Sequence, residues 1–236
     1  MVNVFGIKID RSMDQITFSA LLENVSGEKK ERIGKYRKYE DKIRCMLGDL
    51  VVRYVLCSEY QLKMHDIEFI NNDYGKPMLK LFENIHFSIS HSGEWVMCAF
   101  DDSPIGIDVE VIGNNDYGIV KRYFHKNEWV EFSKKDESDK TSFFYKLWTA
   151  KESYIKMVGK GMSIPLNSFS ALDGIVTLEN STDNINEKSY FESFNLDDNH
   201  AVAVCTNKIE FNKYLKVLSI DELLDFFLKL KNEAFG

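Results

Sequence analysis

Apolar and polar residues alternate strictly through Ile105-Gly106-Ile107-Asp108-Val109-Glu110-Val111. That period of two predicts a β-strand with Ile105, Ile107, Val109 and Val111 on one face and Gly106, Asp108 and Glu110 on the other. Weaker alternation predicts an opening strand at 2–9 and a short one at 66–70. The run His86–Gly93, followed by apolar Trp95–Phe100, predicts a hairpin around a Ser-Gly turn. Residues 194–196 and 200–205 repeat that hairpin pattern. Between the strands the period lengthens to that of a helix. Ile43, Leu47, Leu50, Val51, Tyr54 and Val55 form one stripe of a helical region that follows Ser26, an N-cap, and reaches Glu59 with a break near Gly34. Asn72–Pro77 reads as a turn, residues 137–159 as a long helix, and Ile220–Leu230 as an amphipathic helix.

Each half of the chain thus holds a strand, a long helix and a hairpin whose last strand is apolar throughout. The expectation is an α+β protein of two similar, pseudo-repeated α/β lobes, each a small sheet packed against a long helix, with a site at their interface. The lobes are placed at residues 1–103 and 104–236. On the long second helix, about 100° per residue places Leu147, Trp148, Ile155 and Val158 with Phe144 on the buried stripe. Glu152 and Lys156, four residues apart, fall side by side at its rim. Lys151 falls inside the stripe, where an ammonium must snorkel or find a carboxylate.

The 236 residues include 44% hydrophobic and 28% charged residues, an ordinary balance for a soluble protein. The net charge of −7 argues against a general nucleic-acid or membrane-surface binder. No apolar run approaches membrane length, and no secretory leader is recognisable. Cys45, Cys57, Cys98 and Cys205 lack metal or disulfide spacing, so reduced thiols and a cytoplasmic location are expected.

Two local features carry possible chemistry. Asp108 and Glu110 project from one strand face about 7 Å apart, and like charges that close call for a positive partner. Taken alone, a D-x-E strand is an acidic outer face. Within this acidic chain, Lys29, Lys30, Arg32, Lys35, Arg37, Lys38, Lys42 and Arg44 concentrate positive charge on the leading turns of the first helical region. By itself such a run is a solvated face; with a phosphorylated ligand it is an anion site.

Together these residues form a signature. Gly106-Ile107-Asp108-Val109-Glu110, and some forty residues later Leu147-Trp148-Thr149-Ala150-Lys151-Glu152-Ser153-Tyr154-Ile155-Lys156, resemble the two-part motif of the 4′-phosphopantetheinyl transferases. The resemblance extends through the basic helix, Leu47-Gly48-Asp49, Tyr74-Gly75-Lys76-Pro77, Phe87-Ser88-Ile89-Ser90-His91-Ser92, Gly159-Lys160-Gly161 and Pro165-Leu166. Length and layout resemble the monomeric, surfactin-synthetase-activating subgroup. The resemblance implies Mg²⁺-dependent transfer of the phosphopantetheine arm of coenzyme A to a serine of an apo peptidyl or acyl carrier protein, with release of 3′,5′-ADP. Such carriers serve peptide (antibiotics included), polyketide and fatty-acid synthesis.

The family pattern carries over residue by residue. Asp108, Glu110 and Glu152 would ligate Mg²⁺, a hard cation suited to oxygen ligands. Lys156 would neutralise the leaving diphosphate or protonate it, and Glu152 is the candidate base for the serine hydroxyl. Lys29 and Arg32, with Arg44, would hold the 3′-phosphate, while Lys76, Ser90 and His91 would complete the coenzyme A cleft. Cys45 stands where other members often have threonine, which weakens any hydroxyl contact there. Gly106 shares the carboxylate face, so a side chain on it would be expected to stand beside the metal. Tyr117–Phe124 offers a basic-aromatic segment for the acidic carrier. A metal-dependent nucleotide diphosphate hydrolase would use the same acidic trio and lysine. A carrier-binding module without catalysis would have no need of them.

Overall fold

The computed structural model describes residues 2–9, 13–113, 116–178, 188–209 and 213–235. In the first lobe, strand Val2–Lys8 (β1) is followed by helices Gln15–Leu22 (α1), Gly27–Gly34 (α2) and Tyr39–Ser58 (α3). The short strands Phe69–Asn71 (β2) and Pro77–Leu79 (β3) precede the hairpin His86–Ser92 (β4) and Trp95–Asp101 (β5). Ser26 caps α2, its hydroxyl accepting from the Lys29 N–H at 3.2 Å. The break after Gly34 separates α2 from α3, and the whole predicted stripe of α3 is buried against the sheet.

The second lobe begins with Ile105–Val111 (β6) and continues with helices Gly118–Tyr123 (α4), Lys126–Ser133 (α5) and Glu137–Val158 (α6). Strands Phe169–Leu172 (β7), Ile175–Leu178 (β8), Ser189–Asp197 (β9) and His200–Thr206 (β10) complete its sheet. Lys213–Leu218 (β11) and Ile220–Phe235 (α7) end the chain. The sheet orders are β11-β1-β5-β4 and β6-β10-β9-β8-β7. In each lobe the first strand pairs antiparallel with the last strand of the hairpin, β1 with β5 and β6 with β10. The predicted repeat is therefore present in the topology.

The tail departs from a simple two-part division. β11 pairs parallel with β1, Val4 opposite Leu215, and Leu218, Leu223 and Phe227 enter the first lobe's core. The tail satisfies the edge of β1 that β5 leaves open and covers apolar surface beside α1 and α3. Residues from 213 onward thus lie with the first lobe.

The strict alternation of β6 has a physical outcome on both faces. Ile105, Ile107 and Val109 join Val2, Val4, Met97, Val202 and Val204 in an apolar layer between the two sheets. Gly106, Asp108 and Glu110 face α6. The β4 and β6 edges meet at the lobe boundary, and the cleft lies there.

Candidate active site

Gly106 brings strand and helix together. A Cβ at that position would lie 1.9 Å from the carbonyl oxygen of Ser153 and 2.5 Å from the Met157 nitrogen. Only glycine lets the α6 backbone rest directly on β6. The expectation that a Gly106 side chain would stand beside a metal is corrected: it would strike the helix. The same contact sets the separation of the strand carboxylates from Glu152 and Lys156.

Lys151 fixes how α6 is turned. Its ammonium and the Glu128 carboxylate are both fully buried. The ammonium donates to the two Glu128 oxygens at 2.8 and 2.7 Å and to the Phe169 carbonyl at 2.8 Å. Glu128 also accepts from the Ala171 and His125 N–H groups, so neither buried charge lacks partners. With Lys151 anchored on that side, Glu152 and Lys156 are presented to the cleft. Val158, which the helical wheel put on the buried stripe, is instead exposed at the C-terminal end of α6, while Ile155 and Met157 of the same turn are buried. Trp148 is half-buried and lines the cleft.

The Lys156 ammonium donates to Asp108 Oδ1 and to Ser90 Oγ, each at 2.7 Å. Ser90 in turn donates to Asp108 Oδ1 at 2.9 Å, and Ser92 donates to Glu110 Oε2 at 2.8 Å. Asp108 is 3% exposed, and its Oδ2 is buried with no hydrogen-bond partner among the described residues. Burial raises the pKa of Asp108, opposed by Lys156. Burial also raises Glu110 and Glu152, and in both the Asp108 charge adds to the rise. The three carboxylates therefore feel one another and lack enough positive charge.

An orphaned buried oxygen in an all-oxygen acidic cluster is chemistry that suits a hard divalent cation. As the side chains lie, no three His, Cys, Asp or Glu groups among the described residues are gathered closely enough to cage an ion. Lys156 supplies the positive charge at Asp108 instead.

Above this floor opens a cleft of about 640 Å³ between the lobes. Lys29, Arg32, Arg44, Ser90 and His91 line it from the first lobe, and Asp108, Glu110, Glu152 and Lys156 from the second. Lys29 lies 3.7 Å from Asp49. Arg44 pairs with Asp41 at 2.6 Å and donates from Nε to the Gly93 carbonyl at 3.0 Å. His91 is exposed at the rim by surface area, yet the cleft walls desolvate its ring. Its pKa is lowered for that reason first, and Lys156 and Arg44 add to the effect.

Lys76 is placed differently from the other predicted residues. Its neighbours Gly75 and Pro77 line the cleft, but its ammonium donates to the carbonyls of Ile105 and Met157, both at 3.1 Å. Burial pushes its pKa down to about 8. Asn72, in the same turn, donates to the Gly159 carbonyl at 2.7 Å. The turn thus ties the first lobe to the start of β6 and the end of α6.

Sequence reasoning assigned no role to several residues of the site. Asp49 and Arg53 form a buried pair at 2.6 Å inside the cleft, with Arg53 over the Phe69 ring. Their i, i+4 spacing was visible, but burial of that helix face was not. Glu128 had no distinguishing pattern at all. Ser88 and Ser92 were visible only as part of the alternating Ser-x-Ser-His-Ser run.

Comparison with known proteins agrees with this geometry. The profile of the 4′-phosphopantetheinyl transferase superfamily matches residues 104–205, and that of the 4′-phosphopantetheinyl transferase N-terminal region matches residues 12–103. The chain is 39% identical over 226 residues to 4′-phosphopantetheinyl transferase Sfp of Bacillus subtilis (strain 168), covering 94% of this chain and all of the relative. It is 41% identical over 169 residues to 4′-phosphopantetheinyl transferase gsp of Aneurinibacillus migulanus, covering 72% of this chain and 70% of the relative. The human L-aminoadipate-semialdehyde dehydrogenase-phosphopantetheinyl transferase is 29% identical over 225 residues, covering 85% and 73%. With both halves of the motif meeting at one cleft and both family profiles spanning its lobes, the chain belongs to the 4′-phosphopantetheinyl transferase superfamily.

Proposed function

We propose that the interlobe cleft holds coenzyme A with its diphosphate over Asp108, Glu110, Glu152 and Lys156, and that the three carboxylates bind Mg²⁺ there. The chain is a transferase that moves the phosphopantetheine arm of coenzyme A to a carrier protein; the proposal concerns how its residues do so. The observation that carries it is the 2.7 Å contact of Lys156 with both Asp108 and Ser90. It joins the two halves of the motif beneath a wall bearing Lys29, Arg32 and Arg44. When bound, the cation would neutralise diphosphate charge that the carboxylates alone repel.

The chain's own groups supply the rest. Lys29, Arg32 and Arg44 offer three cations to the 3′-phosphate, with Arg32 and Arg44 able to grip it bidentately. His91 adds its ring beside the cleft, and Ser90 holds Lys156 and Asp108 in place beneath the diphosphate. Glu152, whose pKa is raised by burial and by Asp108, accepts the proton of the carrier serine as its oxygen attacks the phosphorus bearing the arm. The bond from that phosphorus to the nucleotide breaks, and Lys156 donates its proton to, or neutralises, the departing 3′,5′-ADP. Lys76 serves the cleft by holding the lobes together.

The carrier docks on α4, where Lys121, Arg122 and Tyr123 are exposed and Val120 and Phe124 anchor the helix. Both walls of the cleft come from one chain, which supports action as a monomer. The four cysteines are free thiols, which supports a reducing, cytoplasmic setting. Among the described residues no helix is long and apolar enough to cross a membrane. A nucleotide diphosphate hydrolase finds no support among the relatives.

The test is incubation with coenzyme A, Mg²⁺ and an apo carrier protein, followed by intact-mass measurement and chromatography of the nucleotide. The expected result is a carrier heavier by one phosphopantetheine arm and one 3′,5′-ADP per modified carrier. Coenzyme A cleaved beside an unmodified carrier would overturn it.

A further inference from the structure

The two sheets meet edge to edge without a backbone ladder. β6 borders its sheet, with β10 on its inner side, so the N–H groups on its outer edge need other acceptors. β4 borders the other sheet. The N–H groups of Ile107, Val109 and Val111 donate to the hydroxyls of Ser88, Ser90 and Ser92 at 3.1, 3.3 and 3.1 Å. The offset is 19 residues in all three, so the strands run parallel and three serine hydroxyls stand where carbonyls would in a parallel sheet.

Each hydroxyl also has a proton to give, and on β6 the residue before each bonded N–H is Gly106, Asp108 or Glu110. Ser88 therefore meets no carboxylate, whereas Ser90 donates to Asp108 and Ser92 to Glu110. Ser90 is shared with Lys156 and belongs to the cleft machinery described above. Ser92 does not line the cleft. Its hydroxyl has two partners here, the Val111 N–H and the Glu110 carboxylate.

We propose that Ser92 is a positioning residue: its hydroxyl takes the edge N–H of Val111 and holds the Glu110 carboxylate in place for a divalent cation. The inference rests on the reading of Asp108, Glu110 and Glu152 as cation ligands. A free carboxylate on an edge strand rotates about its side-chain bonds; one held by a hydroxyl that is itself fixed to the next residue's backbone does not. Outer partners of this kind set the orientation and affinity of the ligands they touch. The seam therefore joins the lobes with three hydroxyls and orders the cluster with two of them, Ser90 and Ser92.

The sequence contains its own control. Ser88→Ala and Ser92→Ala each remove one acceptor from an edge N–H, but only the second frees a carboxylate. Mn²⁺ is titrated into each protein in the presence of coenzyme A and without carrier, with free Mn²⁺ read by electron paramagnetic resonance and stability read by thermal melting. Ser92→Ala is expected to weaken Mn²⁺ about 10- to 100-fold, with a transfer rate that excess Mg²⁺ largely restores. Ser88→Ala is expected to lower Tm while leaving Mn²⁺ affinity as in the wild type. Ser92→Thr, which keeps the hydroxyl, restores affinity. Ser92→Cys keeps the size but not the strong donor, and takes the place of the alanine variant should that one unfold.

Equal Mn²⁺ affinity in wild type and Ser92→Ala would overturn the positioning role while leaving the cation site standing. So would an equal loss in Ser88→Ala, since the effect would then belong to the seam as a whole. A wild-type protein that takes up no Mn²⁺ would remove the cation site and this inference together.

Discussion

Replacing Gly106 by alanine perturbs the site without touching a group that does chemistry. The added carbon would lie 1.9 Å from the Ser153 carbonyl oxygen and 2.5 Å from the Met157 nitrogen, both backbone atoms of α6. Ordinary contact begins at 3.4 Å, so the helix would have to retreat by about 1.5 Å. Inserting a methyl into a packed interface costs about 1–3 kcal/mol, and for a chain of this size each kcal/mol lowers Tm by roughly 2–4 °C. The larger consequence is for the reaction. Glu152 and Lys156 ride on α6, and the 2.7 Å bond between Lys156 and Asp108 spans the gap that opens. A misplacement near 1 Å costs about 10²-fold in rate. Gly106→Ala is therefore expected to melt several degrees lower and lose about 10²-fold in kcat. KM for coenzyme A should change less, because Lys29, Arg32 and Arg44 lie on the first lobe. Carrier modification followed by mass, beside thermal melting, measures both. A variant with wild-type Tm and wild-type kcat would refute the close approach and the reasoning built on it.

Two further outcomes follow from charge. Reversing Lys121 and Arg122 to glutamate should raise KM for an acidic carrier about tenfold or more and spare coenzyme A binding; unchanged carrier kinetics would remove α4 as the docking surface. Asp108, Glu110 and Glu152 all have raised pKa values. Their contribution to stability is fully present below the unfolded carboxylate range and is lost as pH rises through the raised folded values. A divalent cation held by these carboxylates as proposed would relieve that loss, so the Tm gain on adding Mg²⁺ with coenzyme A should grow from about pH 5 to about pH 7.5. A gain independent of pH would separate the cation from these carboxylates.

Much of this architecture was legible in the chain because it rests on local periodicity. Period-two alternation placed Asp108 and Glu110 on one face of β6, and the helical wheel placed Lys151 inward and Glu152 and Lys156 at the rim. That Lys151 must snorkel or pair with a carboxylate followed from its place on the stripe, but its partner, Glu128, lies 23 residues away on another helix, where no pattern points. The same limit hid the parallel pairing of β11 with β1, since an amphipathic tail does not say which sheet edge it will seek. Gly106 was visible as a small residue on the active face, but that the space belongs to the α6 backbone depends on how closely two elements pack. Lys76 lies in a turn whose backbone borders the cleft, and nothing in its spacing foretold that the side chain would reach the carbonyls of Ile105 and Met157.

The β6 carboxylates and the facing residues of α6 are proposed to form one cation-dependent centre for phosphopantetheine transfer. That claim stands or falls on the rate of apo-carrier modification, followed by intact mass with coenzyme A and Mg²⁺, in the wild type and in Asp108→Ala. The wild type is expected to convert the carrier fully. Asp108→Ala, folded by thermal melting, is expected to lose at least about 10²–10³-fold in rate. Equal rates in the two proteins would contradict the claim.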